Sequence, residues 1–290
     1  MLRESGQIQT ERKEENGNFN FEEIEEIEPA MVSLAEQLKE NLEAGKYNVL
    51  ISDDVGGRIP TLILRKLLKK IHPDKAVKTY FVSGGLRLSK IDAENHEKLQ
   101  KYLKERISDE DSLLIVTQFM FTGRTLIKLS QILNKAGFRD FDIAAAESLP
   151  YPELADTLKL RLGSNKLYIG NTNHSKMHEY HEHLAGVRKT KNYSPHPERT
   201  DRVFKEEGRI LSDDEYREIF GLDIVEKPSV YREKTENPDN LAKYKERLRQ
   251  PLSEEEKQKI QEDVNLARRD IDLIVEKVIK QVWKKDQASQ

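Results

Sequence analysis

The 290-residue chain contains no cysteine, and that absence excludes disulfides, thiolate nucleophiles and cysteine-held zinc or iron–sulfur centres. It has one tryptophan, and no apolar run approaches the roughly 18 residues of a membrane span. The N-terminus carries no apolar signal core. An excess of charge of one sign is also lacking. The 49 basic and 52 acidic residues leave a formal net charge of −3, so nothing pulls the whole chain toward nucleic acid or an anionic membrane. These absences lead to the expectation of a soluble, cytoplasmic protein.

Hydrophobic residues make up 36% of the chain and charged residues 35%. Their uneven spread predicts a compact core flanked by highly solvated helices. Residues 1–20 are polar, with Glu11, Glu14 and Glu15 beside Arg12 and Lys13, and are expected to be a disordered tail. Pro29 suits the first turn of a helix, and Met31, Leu34, Leu38 and Leu42 keep helical spacing up to Gly45. An alternation follows. "YNVLIS", "AVKTYFVS", "SLLIVT", "DFDIAAAES" and "KLYIG" read as strands. "RIPTLILRKLLKKI", "AENHEKLQKYLKER", "GRTLIKLSQILNKAG" and "ELADTLKLR" read as helices between them. Short apolar strands separated by amphipathic helices predict an α/β fold: a parallel sheet covered by helices on both faces. Ligands of such sheets sit at the carboxyl ends of the strands, where the strand order reverses.

The α/β domain is assigned to residues 21–200, ending in a polar, His- and Pro-containing segment after residue 171. Residues 201–290 read as a charged helical C-terminal extension. Ser212 with Glu215, and Ser253 with Glu256, have capping-box spacing. Ile260, Val264, Ala267, Ile271, Ile274, Val278 and Val282 then form one apolar stripe. The stripe admits two uses. It can pack back onto the core, the preferred reading, or residues 253–283 can join a second copy or a partner protein as a short coiled coil.

Two loops carry the chemistry. In "LLIVTQFMFTGRTLIKL", Gly123 allows a tight turn whose N–H groups converge on an anion, and Thr122 and Thr125 add hydroxyls at a helix N-terminus. The same residues also suit a plain helix cap. "VLISDDVGGRIPTLIL" repeats the pattern: Gly56 and Gly57 permit close backbone approach, Arg58 suits a phosphate, and Pro60 suits a first helical turn.

This pair of loops resembles a type I phosphoribosyltransferase over residues 30–190. Phe121-Thr122-Gly123-Arg124-Thr125 is similar to the family's phosphate turn. The resemblance implies that Thr122, Gly123, Arg124 and Thr125 hold the 5-phosphate of phosphoribosyl pyrophosphate. Asp54, Val55, Gly56, Gly57 and Arg58 are similar to the earlier loop that holds pyrophosphate, and Mg²⁺ would arrive with that pyrophosphate. Asp53 or Asp54 would face the metal, or else cap the turn. Arg87 and Lys90 stand where the family has a mobile loop with basic residues.

The departure lies in the strand before the phosphate turn. The family has two adjacent acids there, for the ribose hydroxyls and for the positive charge that develops on the sugar. This chain has Thr117 and Gln118. A hydrogen bond to a charged group is worth roughly 1.5–3 kcal/mol and a neutral one roughly 0.5–1.5 kcal/mol, so ribose binding survives in weakened form. Stabilising an oxocarbenium-like transition state requires negative charge, and its loss costs on the order of 10²-fold in rate.

His174, His178, His181 and His183 fall within ten residues, at spacings that metal ligands use on a helix. Their polar surroundings favour a solvated hood segment over a metal site. The resemblance implies a variable hood that contributes base recognition, in which His181 or Tyr193 would contact a base. Arg188, Lys189, Lys191, Arg199 and Arg202 around Tyr193 suit a nucleotide or single strand, with a plain cover over the site as the preferred reading.

Three readings result. One is a phosphoribosyltransferase that transfers the ribosyl phosphate to a nitrogenous base and releases pyrophosphate. The second is a non-catalytic ligand-binding or regulatory protein of the same fold, which the neutral Thr117–Gln118 pair favours. The third is an interaction scaffold working through its C-terminal helix, separable from ligand binding by deletion of residues 251–290.

Overall fold

The computed structural model describes residues 19–53, 57–82, 92–120, 123–148, 166–171, 239, 242–243 and 254–283. The alternation becomes a five-stranded, all-parallel sheet built from β1 (Val49–Asp53), β2 (Lys78–Val82), β3 (Leu113–Met120), β4 (Phe141–Ser148) and β5 (Leu167–Asn171), in the order β2-β1-β3-β4-β5. β3 and β4 are central and almost wholly buried, which is why they read as apolar runs rather than alternating ones.

Alternate residues of each strand enter different cores. Leu50, Leu114, Val116, Ala144 and Ala146 face a layer that includes α2 (Glu28–Glu43) and α3 (Arg58–Ile71). Val49, Ile51, Leu113, Ile115, Ile143 and Ala145 face α4 (Asp92–Lys104) and α5 (Arg124–Ala136). α3 buries Ile59, Ile63, Leu64, Leu67 and Leu68 and ends in Lys69 and Lys70, which complement the negative end of its dipole. α5 stops at Gly137, whose φ of 98° lets its N–H reach the Asn134 carbonyl while the Phe138 N–H reaches Leu133.

The C-terminal stripe packs back. α6 (Glu254–Val278), continued by a π turn over Ile279–Trp283, places Ala267, Ile271, Ile274, Val275, Val278 and Val282 in the same core as α2 and α3. Lys277 pairs with Glu28 at 2.6 Å, and Lys66 with Asp272. Asp270, fully buried in α6, accepts the main-chain N–H groups of Asn20 and Phe21 at 3.0 and 2.9 Å, and the Asn20 amide at 2.6 Å. It thereby fastens the segment that leads into the short α1 (Glu22–Glu26), 250 residues away in sequence. Burial pushes its carboxyl above the usual carboxylate range, against the pull of these N–H bonds. Phe19 and Asn20, expected to belong to a disordered tail, are thus held against the C-terminal helix, because Asp270 needs their donors. Residues 1–18 lie outside the described residues.

The amino edge of the sheet is fastened by two acids. Asp142 of β4, fully buried, accepts the Tyr47 hydroxyl at 2.5 Å and Lys46 Nζ at 2.7 Å. Asn41 donates to the hydroxyls of both Tyr47 and Tyr168, at 3.2 and 2.7 Å. Burial, reinforced by the Asp142 carboxylate, drives the Tyr47 phenol far above its ordinary pKa. Asp111 accepts Asn48 Nδ2 at 2.6 Å, the Ser108 N–H at 2.9 Å and Lys78 Nζ at 2.9 Å.

Partial burial pushes the Asp111 carboxyl up, but the Ser108, Lys78 and Asn48 bonds together outweigh it and hold the group below its ordinary value. A lowered folded-state pKa stabilises the fold above the unfolded pKa of about 3.9, and the effect fades as pH falls through the folded value. Asp111→Asn is therefore expected to cost about 1–3 kcal/mol in urea unfolding at pH 7. The gap to wild type should shrink steadily below about pH 4. A gap that persists unchanged to the lowest measurable pH would show that charge has no part in it.

Candidate functional site

β1 and β3 are neighbours in the sheet, yet β1 leads through α3 to β2 on one side and β3 leads through α5 to β4 on the other. The strand order therefore reverses between them, and α3 and α5 follow the carboxyl ends of two neighbouring strands. The connections from β1 to α3 and from β3 to α5 are the two glycine-containing loops singled out above.

Each loop is followed by a helix whose N-cap is a glycine, right-handed at Gly57 and left-handed at Gly123. α3 starts after Gly57 and α5 after Gly123, whose φ of 65° only glycine adopts without strain. Neither helix has a side-chain cap or an acidic residue in its first turn. The first residue of each is instead an arginine, Arg58 or Arg124. A cation at the positive end of a helix dipole has the wrong sign for helix stability and the right sign for an anion.

Arg58 shows how the charge is held. It is only 3% exposed, and its guanidinium sits 4.5 Å from the centroid of the Phe81 ring. Phe81 lies beside Ser52 in the β1–β2 register. Stacking of this kind orients the planar guanidinium. Thr61 donates its hydroxyl to the Gly57 carbonyl at 2.6 Å and closes the first turn of α3. Thr125 is half-buried in the first turn of α5.

Thr117 and Gln118 are both buried, and their position differs from the sequence expectation. They do not end β3. The strand continues through Phe119 and Met120, which pair with Glu147 and Ser148 of β4, so pairing with β4 extends the strand where a turn was expected. By strand alternation Thr117 and Gln118 project to opposite faces, and one sugar does not meet both from the same side.

The edge also holds polar residues that sequence reasoning passed over. Ser52, Thr61, Glu147 and Ser148 are buried here beside Arg58, Thr117 and Gln118. The available signal was "AAAES": an acid that closes an otherwise apolar strand of a parallel sheet comes to rest at the ligand edge. Asp54, Val55, Gly56 and Thr122, the Arg124 side chain, Arg87, Lys90, Tyr193, and His174, His178, His181 and His183 lie outside the described residues or side chains. Among the described residues no group of three or more His, Asp or Glu is placed to hold a metal ion, and no helix is long and apolar enough to cross a membrane. No protein-family model, curated protein or solved structure matches the chain.

Proposed function

We propose that the chain binds a phosphorylated ribose at the β1/β3 switch point, with phosphoribosyl pyrophosphate or a nucleotide 5-phosphate as the ligand class. The observation that carries this reading is the pair of glycine-capped helix N-termini, each opening with an arginine and each following one of two neighbouring strands. In it, Thr122, Gly123, Arg124 and Thr125 take the 5-phosphate. Gly57 and Arg58 take the pyrophosphate, and Mg²⁺ comes with the ligand. Arg58, stacked on Phe81, brings a fixed positive charge to the start of α3, of the sign a phosphate requires. The type I phosphoribosyltransferase fold, and transfer to a nitrogenous base, belong to the same proposal.

A second reading, binding without turnover, is favoured by neutral Thr117 and Gln118 on β3. The scaffold reading has less support, because the described part of the α6 stripe is buried in the chain's own core.

Phosphorus NMR with magnesium and phosphoribosyl pyrophosphate, with and without mixed nucleobases, separates these readings. Wild type is expected to broaden the donor signals. Thr125→Ala and Arg58→Ala are expected to weaken the effect, Arg58→Ala by about 10–100-fold, as befits loss of charge-assisted bonds worth roughly 1.5–3 kcal/mol. Pyrophosphate released only with a base marks the transferase, and broadening alone marks the binder. No broadening at about millimolar protein, where even a Kd of ~1 mM is visible, would rule out the ligand class.

A further inference from the structure

β4 carries two buried acids with different fates. Asp142, at the amino edge, is engaged by Tyr47 and Lys46 as part of the framework. Glu147, at the carboxyl edge, is 1% exposed in a strand whose preceding residues from Ile143 are all apolar. Placing a carboxylate there is costly unless polar groups engage it. Glu147 is engaged within the protein.

Its position relative to β3 is fixed by register. Thr117 pairs with Ala145, and Phe119 with Glu147, which in turn pairs with Asn171 of β5. Strand alternation carries Glu147 after Ile143 and Ala145 onto the face covered by α5, and carries Thr117 after Leu113 and Ile115 onto the same face. Thr117 and Glu147 are thus diagonal neighbours on adjacent strands, about 7–8 Å apart at the backbone, within reach of a long side chain and a hydroxyl group between them. α5, whose N-terminus follows the phosphate turn, covers this face.

We infer that Glu147 supplies, from the neighbouring strand, the carboxylate that β3 lacks, and that it receives the ribose hydroxyls of the bound sugar phosphate together with Thr117. The inference rests on the proposed phosphate site and adds a determinant of sugar recognition to it.

The test compares three probes by calorimetric titration: inorganic phosphate, ribose 5-phosphate and 2-deoxyribose 5-phosphate. Wild type is expected to bind ribose 5-phosphate about tenfold more tightly than its 2-deoxy counterpart, the difference a charged acceptor makes over a lost hydroxyl. Glu147→Gln is expected to erase most of that preference and leave inorganic phosphate affinity within about twofold, while Glu147→Asp keeps part of it. Equal loss for phosphate and sugar phosphate in Glu147→Gln, or a sugar preference untouched by it, would overturn the inference and leave the phosphate site standing. Should Glu147→Gln fail to fold, the wild-type comparison still decides, because indifference to the 2-hydroxyl contradicts the inference. Wild type that binds none of the probes removes the phosphate site and this inference together.

Discussion

A chain ending at residue 253 is expected not to fold cooperatively. Truncation there removes α6, and with it Ile271, Ile274, Val275, Val278 and Val282, each buried to within 5% of full burial. At roughly 1.5–3 kcal/mol for each such side chain, the five contribute on the order of 8–15 kcal/mol, an upper estimate because unfolded chains already bury some surface. That is comparable to the roughly 5–15 kcal/mol of net stability of a typical domain. The same truncation uncovers the apolar face of α3 and α2 and removes Asp270, leaving the Asn20 and Phe21 N–H groups without their acceptor. Near-UV circular dichroism and a melting curve provide the check, with dye binding to exposed apolar surface as a third readout. A single change, Ile274→Ala, should already cost about 2–5 kcal/mol. If the truncated chain melts cooperatively within a few degrees of wild type, α6 is an accessory and the scaffold reading regains its appeal.

The α/β alternation was legible because each element carries its own local pattern. The helix limits Arg58–Ile71 coincide with "RIPTLILRKLLKKI", where apolar spacing begins after a glycine and ends at the basic last turn. Gly137 ended α5 as expected, for the same local reason. Elements that depend on distant partners were read less well. The end of β3 was placed too early because only pairing with Glu147 and Ser148 keeps Phe119 and Met120 in the strand. The bonds from Asn20 to Asp270 join residues 250 positions apart, and no spacing rule reaches that far. The α6 stripe has the same period whether it meets its own core or a second chain, so sequence alone left both uses open. In the site, glycines and arginines announced themselves by motif. Glu147 was marked only as the acid that closes "AAAES", and its relevance depends on which strand lies next to β3.

Gly170→Val is expected to be the most damaging point substitution in the sheet, and the reason is backbone approach rather than backbone conformation. α2 lies so close to β5 that a Cβ on Gly170 would stand 2.2 Å from the Ala30 carbonyl oxygen and 2.7 Å from that of Ala146. Both are main-chain atoms and cannot swing aside as a side-chain end does. Even Gly170→Ala must push α2 away from β4 and β5, and overpacking of this kind costs typically about 1–3 kcal/mol, with the upper end expected here. Valine adds two methyl groups to the same clash and should cost more. The displacement would also strain the bond from Gln37 Nε2 to the Ile169 carbonyl, now 2.7 Å. Gly137→Ala is the discriminating control. Nothing lies within 4 Å of its Cβ, but its φ of 98° disfavours a side chain, so its cost should be near 1 kcal/mol. Urea midpoints for the three variants should therefore fall in the order Gly137→Ala, Gly170→Ala, Gly170→Val. The last should also lose amide-exchange protection in β5 first, since the displaced contact is local to that strand. Because Asn171 follows Gly170 and pairs with Glu147, a folded Gly170→Ala protein should also bind ribose 5-phosphate more weakly at the carboxyl edge. Equal midpoints for Gly137→Ala and Gly170→Ala would mean that α2 yields freely, and the close packing of helix on strand would then contribute little to holding the site.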